Sequence, residues 1–148
     1  MNEFLEGVYA QAGPIIRKYI DLLHDKVEKE NLHMHIWIGP NVPFLTDAVV
    51  AQADQLWQEA EKAVAGQPEV LERVRFARLS VDFAIVERAR IKSGGKAATT
   101  DPAVKAAAER FFTVGKRAGI RTIREHNTTL EEYRKSLNSL LGPVKQAV

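Results

Sequence analysis

Hydrophobic side chains recur three and four positions apart along most of this chain, the spacing that gathers them on one face of an α-helix. Long segments with this pattern begin near residues 14, 46, 68, 101 and 129, and a shorter helical turn is predicted around residues 3–9. The sequence therefore predicts an all-α fold, an antiparallel bundle of about five helices joined mostly by short loops.

Capping residues and helix breakers indicate where these helices begin and end. Thr46 is a candidate N-cap, Asp101 with Pro102 starts the fourth helix, and Thr129 with Glu132 matches a capping box. Glycines mark the expected helix ends, namely Gly66, then Gly115 or Gly119, and finally Gly142, where the last helix is expected to bend or stop.

The apolar stripes predict the core. The third helix, expected over about residues 68–92, has two apolar faces, which is typical of a central helix. Its second face consists of Phe76, Leu79, Phe83 and Val86, and the fourth helix contributes Val104, Ala107, Ala108, Phe111 and Val114. Arg78 and Asp82 lie among these faces, and we expect them to pair with one another or with neighbouring helices; a binding groove is the alternative.

One segment departs from the helical pattern. Apolar Leu32, Met34, Ile36 and Ile38 alternate with His33, His35 and Trp37, which predicts a short extended segment near residues 32–38. His33 and His35, with His24 nearby, form the one cluster that resembles a metal site. No carboxylates accompany them at ligand spacing, so we favour a surface role and expect no metal.

The composition fits one helical domain over residues 1–148. Hydrophobic residues make up 45% and charged residues 27% of the chain, and the formal net charge is +2. This near balance favours neither a nucleic-acid nor a membrane partner, and no apolar run reaches the ~18 residues of a membrane span. Cysteine is absent, which excludes disulfides and thiol chemistry, and the first residues do not have the pattern of a signal peptide.

No group of residues predicts a reaction or a cofactor. The acidic pairs Glu28/Glu30, Glu59/Glu61 and Glu131/Glu132 fall on expected solvent faces, whereas catalytic carboxylates need a partly desolvated site. Basic residues concentrate at the end of the fourth helix and after it, namely Lys116, Arg117, Arg121 and Arg124. They complement the helix dipole, and the functional alternative is a site for an anionic ligand.

Four aromatic residues lie outside the core stripes. Phe4, Tyr9, Trp37 and Phe44 are on or beside the short connecting elements. They could dock against another domain, stack on sugar rings, or pack under loops. We favour local packing for Trp37 and Phe44, which remain candidate ligand contacts together with Arg121 and Arg124.

A known family supplies a further expectation. Residues 2–23, which include Ala12-Gly13-Pro14-Ile15-Ile16-Arg17-Lys18-Tyr19, resemble the segment that follows the α/β barrel in large secreted bacterial proteins. That barrel belongs to a family of unknown function and is similar to family 67 (α-glucuronidase-related) glycoside hydrolases. Weaker similarity lies in Phe44-Leu45, in Ala53-x-x-Leu56-Trp57-x-x-Ala60-Glu61 and in Arg73-Val74-Arg75-x-Ala77-Arg78-Leu79. This chain has Val8-Tyr9-Ala10 where the resembled proteins often have Tyr-Tyr-Gly.

The resemblance implies a fragment of a larger protein whose catalysis lies in the upstream barrel. The chain would then be a non-catalytic accessory domain that packs on this barrel through Phe4, Leu5 and Tyr9, in a parent that is secreted, periplasmic or on the cell surface. A different class of function is an independent module that binds acidic glycans or mediates protein–protein contact or dimerisation. An enzyme in its own right is a third hypothesis, which lacks a constellation of acids and bases.

Overall fold

The computed structural model describes residues 1–35, 38–95, 98–123 and 128–142, and these residues form an all-α helical bundle. The helices are α1 (Asn2–Tyr9), α2 (Gly13–Lys29), α3 (Asp47–Ala63), α4 (Pro68–Lys92), α5 (Pro102–Arg117), α6 (Leu130–Ser136) and α7 (Asn138–Leu141). A 3₁₀ turn, Ala10–Ala12, joins α1 to α2. The predicted all-α fold is confirmed. Across the described ranges no helix is both long and apolar enough to cross a membrane.

The chain divides into two compact units, Met1–Val81 and Asp82–Val148. The division falls inside α4, so each unit contains part of this helix. The first unit also contains α1, α2 and α3, and the second contains α5, α6 and α7.

The predicted helix starts are confirmed by their capping bonds. Thr46 Oγ1 accepts a hydrogen bond from the Val49 amide at 3.2 Å, and Asp101 Oδ1 accepts one from the Ala103 amide at 2.8 Å. Thr129 and Glu132 form the expected capping box at α6. These starts could be predicted because a cap is satisfied within four residues of sequence.

The helix ends differ in part from the prediction. The second long helix stops at Ala63, before Gly66. The fourth passes through Gly115 and stops at Arg117; Gly119, the other predicted position, follows with a left-handed φ of 72° and donates its amide to the Lys116 oxygen, so this alternative is confirmed. The closing segment is two helices with a break at Leu137 rather than one helix. Gly142 ends α7 with φ 81°, a left-handed value that glycine adopts at little cost.

The first unit is packed around the α2 and α3 faces. Its most buried apolar side chains are Leu5, Ala12, Ile16, Ala53, Trp57, Ala60, Val64 and Val74. The ring of Tyr19 on α2 meets Trp57 on α3 edge-on, with 5.3 Å between ring centroids. Partial burial raises the pKa of the Tyr19 phenol, and its hydrogen bond to Ser80 offsets part of this shift.

The second unit is packed around an aromatic cluster. Phe83 of α4 lies 5.8 Å from Phe111 and 5.7 Å from Tyr133, and Phe112 completes the group at 5.4 Å from Phe111 (centroid distances). The predicted α5 stripe of Val104, Ala107, Ala108, Phe111 and Val114 is buried, as expected. Leu137, at the break between α6 and α7, is fully buried.

Phe76 is an exception on α4, because 52% of its surface is exposed although the pattern placed it on a core face. Val74 and Arg78 are buried on the same helix. Val74 and Arg78 are each two residues from Phe76, which at 100° per residue is about 200° around the helix. Phe76 therefore points away from the buried side. Leu79 and Val86 are buried as predicted.

The segment between α2 and α3 has little regular structure in its described part. Residues 32–35 are neither helix nor strand, while Ile36 and Trp37 lie outside the described residues. His33 and His35 are exposed, and Val42 is buried after the segment.

Candidate docking surface

Helix α1 has one buried side and one exposed side. Leu5 is 4% exposed, whereas Phe4 is 66% exposed and Tyr9 is half-buried. Leu5 and Tyr9 are four residues apart and so lie on one face, about 40° from each other, while Phe4 lies about 140° from Tyr9. The three residues expected to dock together therefore do not share a face. Leu5 packs inside the chain's own core, and Phe4 faces outward.

The inner side of α1 is fixed by a very close approach to the start of α2. A Cβ atom placed on Gly13 would lie 2.8 Å from the backbone carbon and oxygen of Leu5 and 2.9 Å from the amide nitrogen of Glu6. Real Cβ atoms do not come this close to a backbone, so glycine is what permits the contact.

Two side-chain bonds hold the ends of α1. Arg17 on α2 donates to Asn2 Oδ1 at 3.2 Å, and Arg73 on α4 donates through Nε to the backbone oxygen of Val8 at 2.9 Å. Beside the first bond lies a small cleft of about 120 Å³, lined by Asn2, Glu6, Gly13, Pro14 and Arg17. Phe4 is thus carried on a helix whose position is set at both ends.

In the first unit a buried arginine links α4 to α3. The Arg78 side chain is 3% exposed and donates to Asp54 Oδ1 at 2.5 Å and to Glu61 Oε1 at 2.6 Å. Arg75 lies 3.5 Å from the second oxygen of Glu61. The expectation that Arg78 pairs with a neighbouring helix is confirmed, and the charges cross-link two helices where a binding groove was the alternative.

In the second unit two buried carboxylates have the same linking role. Asp82 is 1% exposed and accepts from Arg110 of α5, with 2.7 Å between Arg110 Nη2 and Asp82 Oδ1. Glu87, 2% exposed, accepts from the Tyr133 hydroxyl of α6 at 2.7 Å and from Arg90 at 2.8 and 2.9 Å. The hydrogen bond to Glu87 raises the pKa of Arg90. No sequence signal paired Glu87 with Tyr133, because the two residues are 46 positions apart.

The basic residues at the end of α5 and after it are exposed where the structure describes them. Lys116, Arg117 and Arg121 are on the surface, while Arg124 lies outside the described residues. The backbone oxygen of Arg121 accepts from the Leu130 amide at 3.0 Å, which fixes this residue next to the start of α6.

The charges of the chain are also unevenly divided. Residues 1–81 contain 12 acidic and 8 basic residues, a net charge of −4, and residues 82–148 contain 7 acidic and 13 basic residues, a net charge of +6. The near-neutral total therefore hides an acidic first unit and a basic second unit.

The remaining candidate positions give no common site. Phe44 is half-buried in the first unit, Arg121 belongs to the second, and Trp37 lies outside the described residues. His24, His33 and His35 are exposed. In the part of the chain that the structure describes, no three His, Asp or Glu side chains come together as metal ligands would.

Comparisons with models of known protein families, with curated proteins and with solved structures found no match to this chain.

Proposed function

We propose that this chain is a non-catalytic accessory helical domain that packs on a neighbouring domain of the same polypeptide through α1, with the Phe4 ring as the anchor. The observation that carries the proposal is an aromatic side chain 66% exposed on a helix whose other side is locked by the Gly13 contact. Rigid aromatic side chains supply much of the binding energy of protein interfaces and lose little conformational entropy on binding.

The resemblance of residues 2–23 to the segment after a glycoside-hydrolase-like α/β barrel supports a barrel as the neighbouring domain. The turn after α1 adds a physical argument. Ala10 has φ 48° and ψ −129°, a conformation that glycine reaches at little cost. The resembled proteins often have glycine at the position of Ala10, and the backbone conformation of Ala10 is one that suits glycine. A secreted carbohydrate-active parent is part of this proposal.

Amide hydrogen exchange tests the proposal. We expect α1 to exchange more slowly in the protein expressed from its whole reading frame than in residues 1–148 alone, because a docked helix opens less often. Phe4→Ala in the whole protein should remove most of this protection. Ile91→Ala, which truncates an apolar side chain 40% exposed in the second unit, serves as the control and should not. Equal exchange of α1 in both forms, or a reading frame that encodes no further domain, would overturn the proposal.

A second candidate function is binding of acidic glycans by the second unit. Its net charge of +6 and the exposed Lys116, Arg117 and Arg121 favour it, since guanidinium groups bind carboxylates bidentately. Calorimetric titration with neutral and uronate-containing oligosaccharides is the test. We expect saturable heat with uronates alone, weakened by Arg121→Ala and unchanged by Lys18→Ala, an exposed cation of the first unit. An unchanged isotherm for Arg121→Ala would count against this function.

A further inference from the structure

Two hydrogen bonds place the start of α4 beside α1 in the opposite direction. Gln67 donates to Gln11 Oε1 at 2.6 Å, and Arg73, six residues later, donates to the backbone of Val8 at 2.9 Å. As α4 runs forward from residue 67 to residue 73, its partners run backward from residue 11 to residue 8. Within the first unit the two segments are therefore antiparallel neighbours.

This arrangement brings two exposed phenylalanines to one surface. Phe76 follows Arg73 by about one turn of α4, and Phe4 precedes Val8 by about one turn of α1, so both lie further along the same direction from the Arg73–Val8 bond. Phe4 is about 40° from Val8 around α1, and Phe76 is about 60° from Arg73 around α4. Their exposed fractions are 66% and 52%, and Met1, one turn before Phe4, is 70% exposed. We call Met1, Phe4 and Phe76 the exposed apolar face.

Acidic residues border this face. Glu3 adjoins Phe4 on α1, and Glu69 lies seven residues before Phe76, on the same side of α4. Both are exposed, and α1 contains no Lys or Arg. The guanidinium of Arg73 lies between the two helices and is bound to the neutral Val8 carbonyl, so its positive charge reduces the negative charge of this border but does not cancel that of both carboxylates. A partner that covers an apolar centre with such a border must avoid like charges and gains from opposite ones.

We infer that the neighbouring domain docks on the whole exposed apolar face, which extends from α1 onto α4 through Phe76. The neighbouring domain covers this face with an apolar patch bordered by Lys or Arg side chains. This inference rests on the proposed function, because it names the extent of the same surface and the chemistry of its partner. A larger apolar area with two aromatic anchors gives a stronger contact than Phe4 alone, since clustered anchors exclude water from one another.

Hydrogen exchange of the whole protein separates this inference from the proposed function. We expect residues 68–80 as well as α1 to exchange about tenfold more slowly in the whole protein than in residues 1–148 alone. Phe76→Ser should lower the protection of α1, and Ile91→Ser, at the other end of the same helix, should leave it unchanged. Protection of α1 without protection of residues 68–80 would overturn the extended face and leave the proposed function standing. Protection of neither would overturn both.

The charge of the partner is tested with Glu69→Lys, for which Glu28→Lys on α2 is the matched control. We expect Glu69→Lys to reduce the protection of α1 and Glu28→Lys to leave it unchanged. Protection should also decrease as salt rises to about 0.5 M, because exposed charges are screened over a few ångströms at that ionic strength. If the protection of α1 responds to neither change, the basic border of the partner is overturned.

Sedimentation velocity of residues 1–148 tests a second copy of the chain as the partner. A concentration-dependent dimer that Phe76→Ser abolishes would assign the face to a second copy and overturn the partner proposed above.

Discussion

Gly13 determines how closely α1 can approach α2. In Gly13→Ala the added Cβ would lie 2.8 Å from the Leu5 backbone, so one helix must move and the packing of Leu5 must loosen. We expect a loss of about 1–3 kcal/mol in the free energy of unfolding, the usual cost of overpacking. Urea unfolding followed by tryptophan fluorescence measures it, because both tryptophans, Trp37 and Trp57, belong to residues 1–81.

Gly7 supplies the matched control for this experiment. It lies in the middle of α1, and nothing comes within 4 Å of a Cβ atom placed on it. Gly7→Ala should therefore stabilise the helix by about 0.5–1 kcal/mol, the difference in helix propensity. If Gly13→Ala lowers the free energy of unfolding and Gly7→Ala raises it, then the loss at position 13 comes from the close contact and not from alanine itself. A Gly13→Ala variant as stable as the wild type would contradict the assigned role.

Ala10 makes the reverse substitution informative. Its φ of 48° lies in the region where a Cβ atom clashes with the neighbouring backbone, at a cost of about 1–2 kcal/mol. Ala10→Gly relieves this strain, while the more flexible unfolded chain offsets up to about 1 kcal/mol of the gain. We expect a small net stabilisation, of up to about 1 kcal/mol, in urea unfolding. A clear destabilisation would mean that Ala10 does not hold this conformation.

The capping box shows what a local signal contributes to a short helix. Thr129→Ala removes the acceptor of the Glu132 amide, which lies 3.1 Å from Thr129 Oγ1. We expect a loss of about 1 kcal/mol and faster amide exchange in α6. Glu131→Gln, which breaks the exposed ion pair with Lys135, is the control and should change neither quantity measurably. Equal effects of the two substitutions would contradict a specific role of the cap.

The same cap predicts a pH dependence. The Thr129 amide donates to the Glu132 carboxylate and lowers its pKa below the ordinary value of 4.5. A lowered folded-state pKa means that the unfolded chain binds protons more readily, so this stabilisation is present above pH 4.5 and is lost as pH falls through the lowered value. As pH falls through that range, amide exchange in α6 should accelerate in the wild type relative to Glu132→Gln. If the ratio of the two exchange rates does not change with pH, this linkage between Glu132 protonation and helix stability is contradicted.

Helix starts could be predicted from the sequence and some helix ends could not, for a physical reason. The caps at Thr46, Asp101 and Thr129 are bonds within a few residues, so their sequence signal is sufficient. The break at Leu137 contains neither Gly nor Pro. Leu137 is fully buried, and tertiary packing of that kind overrides local preference without leaving a local signal.

The position of Phe4 shows the same limit at the candidate site. Residue type marked it as a possible anchor, but the sequence could not tell that Leu5 faces inward. That orientation depends on the contact between Leu5 and Gly13. The exposure of Phe76 was missed because the buried side of α4 carries Arg78, which hydropathy assigns to solvent. Its burial is tolerated because Asp54 and Glu61, 24 and 17 positions away, compensate its charge.

Removing one partner of a buried ion pair should lower the free energy of unfolding more than removing one partner of an exposed pair. Arg78→Met leaves Asp54 and Glu61, each 18% exposed, facing the space of the lost guanidinium. Breaking a buried ion pair costs about 3–5 kcal/mol. Because Glu61 keeps Arg75 and Asp54 keeps the Gln58 amide, we expect a loss at or below the lower end of this range, about 2–3 kcal/mol, in urea unfolding followed by tryptophan fluorescence. Arg17→Met breaks a half-exposed pair with Asp21 and the exposed bond to Asn2, and together these should cost less than about 1 kcal/mol.

A triple variant separates the unpaired charge from the lost packing. Adding Asp54→Leu and Glu61→Leu to Arg78→Met replaces the whole buried group with apolar side chains, which is often neutral or stabilising. We expect it to recover most of the stability that Arg78→Met loses. If it recovers none, the packing of the long Arg78 side chain dominates. If Arg78→Met costs no more than Arg17→Met, then the charged cross-link contributes little, and α3 is held against α4 chiefly by apolar packing.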